Sequence, residues 1–266
     1  MIIVNTDRAS HWYTKEGKPF YEIECARRPG QMRSVTLRDA RKHGAVPSVT
    51  GIIRMKYSYA LERWKAGNYI MAAATTPRGP DDSDDQWVAK VVEAADDESR
   101  AAREHGTGGH DDLEQYALTG YIPECEPACL YVQAFKGWVD NSRIDLSHCL
   151  HEHSFATPLH GYGGRVDLIT HEDQPSMVAD YKFTKSVPGK PMTAYGLDYG
   201  YQLAAYAEGT GMPNSARLLN LLFSKTEPGR MEVQDWTDQR EMLWSGFQAC
   251  LTLWVQENSY DPRKKG

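Results

Sequence analysis

The chain has 266 residues, 41% of them hydrophobic, and a formal net charge of −6. That is enough apolar material for a full core, best placed in one elaborated domain. The acidic balance excludes whole-molecule attraction to a polyanion, so any nucleic-acid binding has to come from local basic surface.

No apolar run approaches the roughly 18 residues of a membrane span, and the start Met-Ile-Ile-Val-Asn-Thr-Asp lacks the basic and apolar regions of a signal peptide, so a soluble, cytoplasmic protein without a membrane partner is expected. The cysteines Cys25, Cys125, Cys129, Cys149 and Cys250 are odd in number and scattered, which fits a reducing compartment.

In chain order, residues 11–24 place aromatics on both sides of Glu-Gly-Lys-Pro and predict a hairpin, whose rings either pack inward or stack on bases. Six bases follow between Arg27 and Lys42 (Arg27, Arg28, Arg33, Arg38, Arg41, Lys42) against one acid, Asp39, and form a candidate nucleic-acid-binding surface. Pro47 breaks the segment, and Ser48 or Thr50 caps a predicted helix. Tyr57, Leu61, Trp64 and Met71 then recur at helical spacing up to Ala74. Residues 75–85 read as a loop ending in an Asp cap, and its aspartates lack the glycine and distal glutamate of a calcium loop. Residues 86–104 predict an amphipathic helix, after which glycines permit close backbone approach and His110 opens a further helix.

Residues 128–141 predict a helix with Leu130, Phe135 and Trp138. Residues 143–158 read as a strand on which Cys149, His151 and His153 share a face, a weak zinc pattern without a paired-cysteine knuckle. Glu152 points to the opposite face, as a possible additional acid near the next hairpin. That hairpin joins Val166–Ile169 to Met177–Phe183 through His-Glu-Asp-Gln-Pro-Ser. Asp167 lies on the first arm; Asp180 and Lys182 lie two apart on the second, on one face. Such charges among apolar neighbours are costly to bury unless a cation compensates them, which points to a metal site. A helix over 195–209 carries Tyr199, Gln202, Leu203 and Tyr206 on one side. Residues 215–225 and 230–236 predict paired strands, and 237–257 a closing helix with Leu243, Phe247, Leu251 and Trp254 inward. The expected architecture is one α+β domain, a mixed sheet flanked by helices, with a mainly helical elaboration over 1–105, a core over 106–258 and a polar tail.

These motifs resemble the PD-(D/E)XK nuclease superfamily, and within it the RecB-like exonuclease branch. Gly164-Arg165-Val166-Asp167 is similar to the Gly-x-x-Asp element, Asp180-Tyr181-Lys182 to Asp-x-Lys, and Gln202-Leu203-Ala204-Ala205-Tyr206 to the Gln-x-x-x-Tyr helix; His110 looks like the branch's helical histidine. Pro47-Ser48-Val49-Thr50 before Leu61-x-x-Trp64 further resembles the mitochondrial genome maintenance exonuclease and its phage relatives. The resemblance implies a restriction-endonuclease-like core and a DNA exonuclease acting from single-stranded ends in phage or bacterial replication, recombination or repair. It implies one or two Mg²⁺ or Mn²⁺ ions held by His110, Asp167, Asp180 and the Tyr181 carbonyl. Lys182 would polarise water or neutralise the transition state, with Gln202 and Tyr206 beside it. Only Cys250 follows the Gln-x-x-x-Tyr helix, so no iron–sulfur cluster is expected. A flap endonuclease of the same fold and a silent nucleic-acid-binding module are the alternatives.

Overall fold

The structure, a computed structural model, describes residues 11–56, 59–170, 173–194 and 196–264, with 59–61 and 98–105 described by their backbone alone. Near the start, β1 (Trp12–Tyr13), β2 (Glu22–Glu24), β3 (Met32–Ser34), α1 (Leu37–His43), β4 (Val46–Pro47) and α2 (Val49–Ile53) are all short. The expected turn is present, closed by Thr14 N–H to Lys18 O at 2.8 Å. Its arms stay joined next to the turn, by Phe20 N–H to Trp12 O at 2.8 Å and a Tyr13–Pro19 bridge, while the longer ladders pair β1 with β4 and β2 with β3. Burial decides this, because Trp12 and Tyr13 are 2% and 3% exposed and Trp12 packs edge-on to Trp254. Those two rings belong to the core, so they are not base-stacking platforms. Ser48 caps α2 through the Gly51 N–H at 3.0 Å, as expected.

The described residues group into two compact units. One holds α3 (Tyr59–Thr75) and α4 (Asp84–Thr119) as far as Gly109; the other holds residues 11–56 and everything from His110 onward. The boundary expected at residue 105 therefore falls after Gly109, and residues 11–56 group with the sheet instead of with the helices.

In the first unit Ala72, Val91 and Ala95 are buried together beside Trp87. Trp64 and Met71 are 47% and 61% exposed, so these two members of the expected apolar stripe on α3 do not face that core; Tyr57 and the Leu61 side chain lie outside what is described. The cap of α4 is Ser83, which accepts from Gln86 N–H while Gln86 Oε1 accepts from Ser83 N–H at 2.9 Å. This reciprocal capping replaces the expected Asp cap. The helix then runs without a break through Gly106, Gly108 and Gly109, where a new helix was expected to begin. Interior glycines lower helix stability by roughly 1 kcal/mol each without forbidding the conformation. No atom lies within 4 Å of a Cβ built at Gly106 or Gly108, so at these two no close approach uses the missing side chain.

The second unit is built on five strands in the order β5 (Cys149–Thr157), β6 (Tyr162–Thr170), β7 (Met177–Thr184), β8 (Arg217–Ser224), β9 (Met231–Asp235). Neighbours are antiparallel except β7 and β8, which are parallel and joined through α6 (Asp198–Gly209). The sheet is therefore mixed and the fold is α+β. On one side Leu113 of α4 and α5 (Ala128–Ser142) pack Tyr131, Val132 and Phe135 onto Leu168, Ala179, Tyr181 and Leu221. On the other, α6, α2 and α7 (Arg240–Asn258) cover Ile169, Val178 and Leu218. Leu243, Phe247, Leu251 and Trp254 of α7 are buried, as its periodicity predicts. Residues 146–148 form a 3₁₀ turn, so the expected strand from 143 begins only at Cys149. His171, Glu172 and Tyr195, expected in a turn and at a helix start, lie outside the described residues. No helix among the described residues is long and apolar enough to cross a membrane.

Candidate metal centre

The expected hairpin of β6 and β7 forms, and its ladder pairs Ile169 with Val178 and Leu168 with Ala179. The next rung would set Asp167 opposite Asp180, and there the pairing stops. Asp167 Oδ2 instead accepts the Tyr181 N–H at 2.5 Å, so a carboxylate occupies the donor that a strand would have used. Asp167 and Asp180 are 7% and 2% exposed.

A second irregularity lies across β6. Glu152 adopts φ 45° between rungs His151–Leu168 and His153–Val166, a left-handed conformation that costs a non-glycine residue roughly 1 kcal/mol or more. The conformation accompanies a carboxylate beside His110 and Asp167. His110 Nδ1 stands 3.8 Å from Glu152 Oε1 and 3.5 Å from Asp167 Oδ2. One potential ligand atom from each of His110, Glu152 and Asp167 lies within 4.8 Å of the others. Arg165, half exposed, meets Glu152 Oε2 at 2.7 Å from the solvent side.

The second acid is held differently. Asp180 Oδ1 accepts from Gln202 Nε2 at 2.9 Å, and Gln202 also donates to the Tyr206 hydroxyl at 2.7 Å. Asp180 Oδ2 takes the Lys182 ammonium and, at 3.0 Å, the Asn220 amide. Asn220 is fully buried in the apolar run Leu-Leu-Asn-Leu-Leu, and its Oδ1 accepts from Trp236 Nε1 at 2.8 Å. Neither Asn220 nor Trp236 figured among the expected site residues, although one amide inside such a run is itself a signal. The Lys182 ammonium also lies 4.9 Å from the Tyr199 ring centre.

Charge compensation sets the protonation states. Burial favours neutral His110, but the Asp167 charge, with the Glu152 carboxylate close by, outweighs it and raises the imidazole to about 10. Burial pushes Asp167 up, and the His110 charge reverses this and holds it below its ordinary value. Burial raises Asp180; Lys182 opposes this, while the Asp167 charge adds to it. Burial alone would lower Lys182, yet Asp180 and Asp167 keep it above its ordinary value. Imidazolium and ammonium, with the Arg165 guanidinium on Glu152, are thus the cations that make three clustered carboxylates tolerable.

One buried and one partly buried carboxylate with an imidazole beside them suit a hard divalent ion such as Mg²⁺ or Mn²⁺, the nitrogen favouring Mn²⁺. Of the expected ligands, His110 and Asp167 converge, joined by Glu152; Asp180 is not one of that set and is engaged by Gln202, Asn220 and Lys182. Among the described residues the histidine-rich strand makes no zinc set: His148 contacts Asp173, His151 Nε2 meets Leu146 O, and Cys149 Sγ meets Asp145 O.

The basic residues are dispersed. Arg27 and Arg28 lie exposed in the turn between β2 and β3, Arg33 is paired with Asp39 through both amino groups at 2.6 and 2.9 Å, and Arg38, Arg41 and Lys42 lie on α1, with Arg41 on Asn258 O. Asp39 also makes the capping box of α1, so Arg33 serves a local structural purpose.

No protein-family model matches the chain, and a search of curated proteins finds no match. Among solved structures the chain is similar to the one described as the crystal structure of SSO0001, at 14% identity over 52% of this chain and 69% of that chain, with a TM-score of 0.25. A likeness that slight carries no argument.

Proposed function

We propose that the chain is a divalent-metal-dependent nuclease that hydrolyses DNA phosphodiester bonds from single-stranded ends, in phage or bacterial replication, recombination or repair. The observation that carries the reading is the convergence of His110, Glu152 and Asp167 beside the Asp180 and Lys182 pair, at the point where β6 and β7 separate. The four motifs of the PD-(D/E)XK resemblance support it, and so does a mixed sheet with β7 and β8 parallel.

His110, Glu152 and Asp167, with Asp180 and the Tyr181 carbonyl at the margin, would hold Mg²⁺ or Mn²⁺. A bound ion supplies charge relief on the phosphate and a more acidic water. Lys182 stays protonated under the field of two aspartates, so its part is to orient water by donation and offset developing negative charge, not to act as a base. Gln202 fixes Asp180 Oδ1 and the Tyr206 hydroxyl together, giving the carboxylate one orientation. Arg165, beside Glu152 and half exposed, and the exposed Arg27, Arg28, Arg38 and Lys42 are groups available to a phosphate backbone.

The reading is tested with end-labelled linear and covalently closed circular single strands in Mg²⁺ or Mn²⁺. Release of mononucleotides or short oligomers from the linear strand, with the circle intact, is the expected result. Cutting of the circle would establish an endonuclease, and an absence of cutting in either metal would refute the nuclease reading.

A further inference from the structure

Asn220 is a polar side chain at the heart of the sheet that neither ligates the metal centre nor meets solvent. It is completely buried, directly opposite Asp180 in the parallel β7 and β8 pairing, and its Nδ2 lies 3.0 Å from Asp180 Oδ2 and 3.4 Å from the Asp180 carbonyl. Which end of an amide faces which neighbour is settled by chemistry here. The indole N–H of Trp236 is a donor only and lies 2.8 Å from Oδ1, so Oδ1 must be the oxygen and the NH₂ must face Asp180.

The lone pairs of Asp180 can then be assigned. Oδ2 accepts from both Asn220 and Lys182, and is saturated. Among the described residues Oδ1 accepts from Gln202 alone, which leaves it one lone pair. Burial of this kind leaves the carboxylate no rotational freedom without giving up a donor, and each such break strands a buried polar group.

We propose that Asn220, locked by Trp236, is a positioning residue that commits Asp180 Oδ2 to the protein and leaves Oδ1 as the oxygen presented to the metal centre. The inference rests on the metal-site reading of His110, Glu152 and Asp167. Its chemical content is that the Trp236–Asn220 pair tunes divalent-cation affinity without touching the ion. Outer partners of this type change metal affinity by about 10–100-fold.

The test is direct Mn²⁺ binding, by electron paramagnetic resonance of free Mn²⁺, on the full chain without DNA. Wild type, Asp167→Asn, Asn220→Leu, Trp236→Phe and Leu222→Ala are compared, each with its thermal midpoint. Leu222 is a fully buried neighbour on β8 and serves as the control for weakened packing. Asn220→Leu is expected to weaken Mn²⁺ about tenfold or more, and Trp236→Phe less, with the double variant no worse than Asn220→Leu. Leu222→Ala is expected to lower the midpoint and leave Mn²⁺ affinity as in wild type. Should Asn220→Leu not fold, Trp236→Phe carries the decision. Wild-type affinity in the Asn220 and Trp236 variants, with binding abolished in Asp167→Asn, would overturn the positioning role and leave the metal site standing. Equal loss in Leu222→Ala would also overturn it. An absence of Mn²⁺ binding in wild type would overturn both readings.

Discussion

His110 Nδ1 and Asp167 Oδ2 stand 3.5 Å apart, one on α4 and one on β6, and each sets the protonation state of the other. The imidazolium is the cation that a divalent ion would replace. Since His110 is raised to about 10, Mn²⁺ has to displace a proton throughout the neutral range. Calorimetric titration in buffers of different ionisation enthalpy should show about one proton released per ion, with affinity rising toward higher pH. Affinity independent of pH between about 6.5 and 8.5 would contradict the exchange.

Without metal the same group acts on stability in the opposite sense. Its folded pKa lies above the ordinary 6.5, so its contribution is complete below that value and is lost as pH rises toward about 10. The metal-free thermal midpoint should fall across that window, and His110→Phe should flatten the decline. A midpoint that rises over the window in wild type would show that His110 is not charged in the fold.

Gly164 has no room for a side chain, because a Cβ there would lie 2.7 Å from Tyr206 Cε1 and 2.9 Å from Phe155 Cε1. The glycine of the Gly-x-x-Asp element thus admits the ring that Gln202 holds against Asp180. Gly164→Ala should destabilise the chain by about 1–3 kcal/mol and lower turnover by displacing Tyr206. Denaturant melts and rates on one DNA substrate check both, and unchanged stability would show that the ring moves freely.

Tyr181 contributes its main chain to the site and its ring to the core. Its N–H binds Asp167, whereas its hydroxyl is buried with no hydrogen-bond partner among the described residues. Tyr181→Phe should therefore keep metal binding and activity, with a thermal midpoint equal to wild type or higher. A large loss of activity would assign the phenol a role.

The basic residues should divide by structure. Arg27→Glu with Arg28→Glu should weaken single-strand binding and lower its salt slope by about 0.7 for each phosphate no longer neutralised. Arg33→Glu should mainly lower stability, since it breaks the pair with Asp39 that caps α1. Identical salt slopes for wild type and the Arg27, Arg28 variant would remove these residues from the DNA path.

What the sequence discloses follows the range of the interaction that decides each element. Asp180 and Lys182 share a face because strand periodicity is local, and α7 buries the stripe its spacing defines. Trp12 and Tyr13 pair locally with Pro19 and Phe20, as the turn predicts, but their second partner Val46–Pro47 accompanies burial against Trp254, which no local turn reveals. Alternation set Glu152 on the face opposite Cys149, but its left-handed backbone, which no sequence pattern predicts, accompanies its approach to His110. Continuity of α4 through three glycines likewise overrides propensity. Asn220 was visible as an amide in an apolar run; its partners were not.

The most direct measurement is hydrolysis of end-labelled single-stranded DNA in Mn²⁺ by wild type, Asp167→Asn, Asp180→Ala and Lys182→Ala. Cleavage by wild type, with each variant slower by roughly 100-fold or more, is the expected result. Equal cleavage by all four proteins would contradict the assignment of the site.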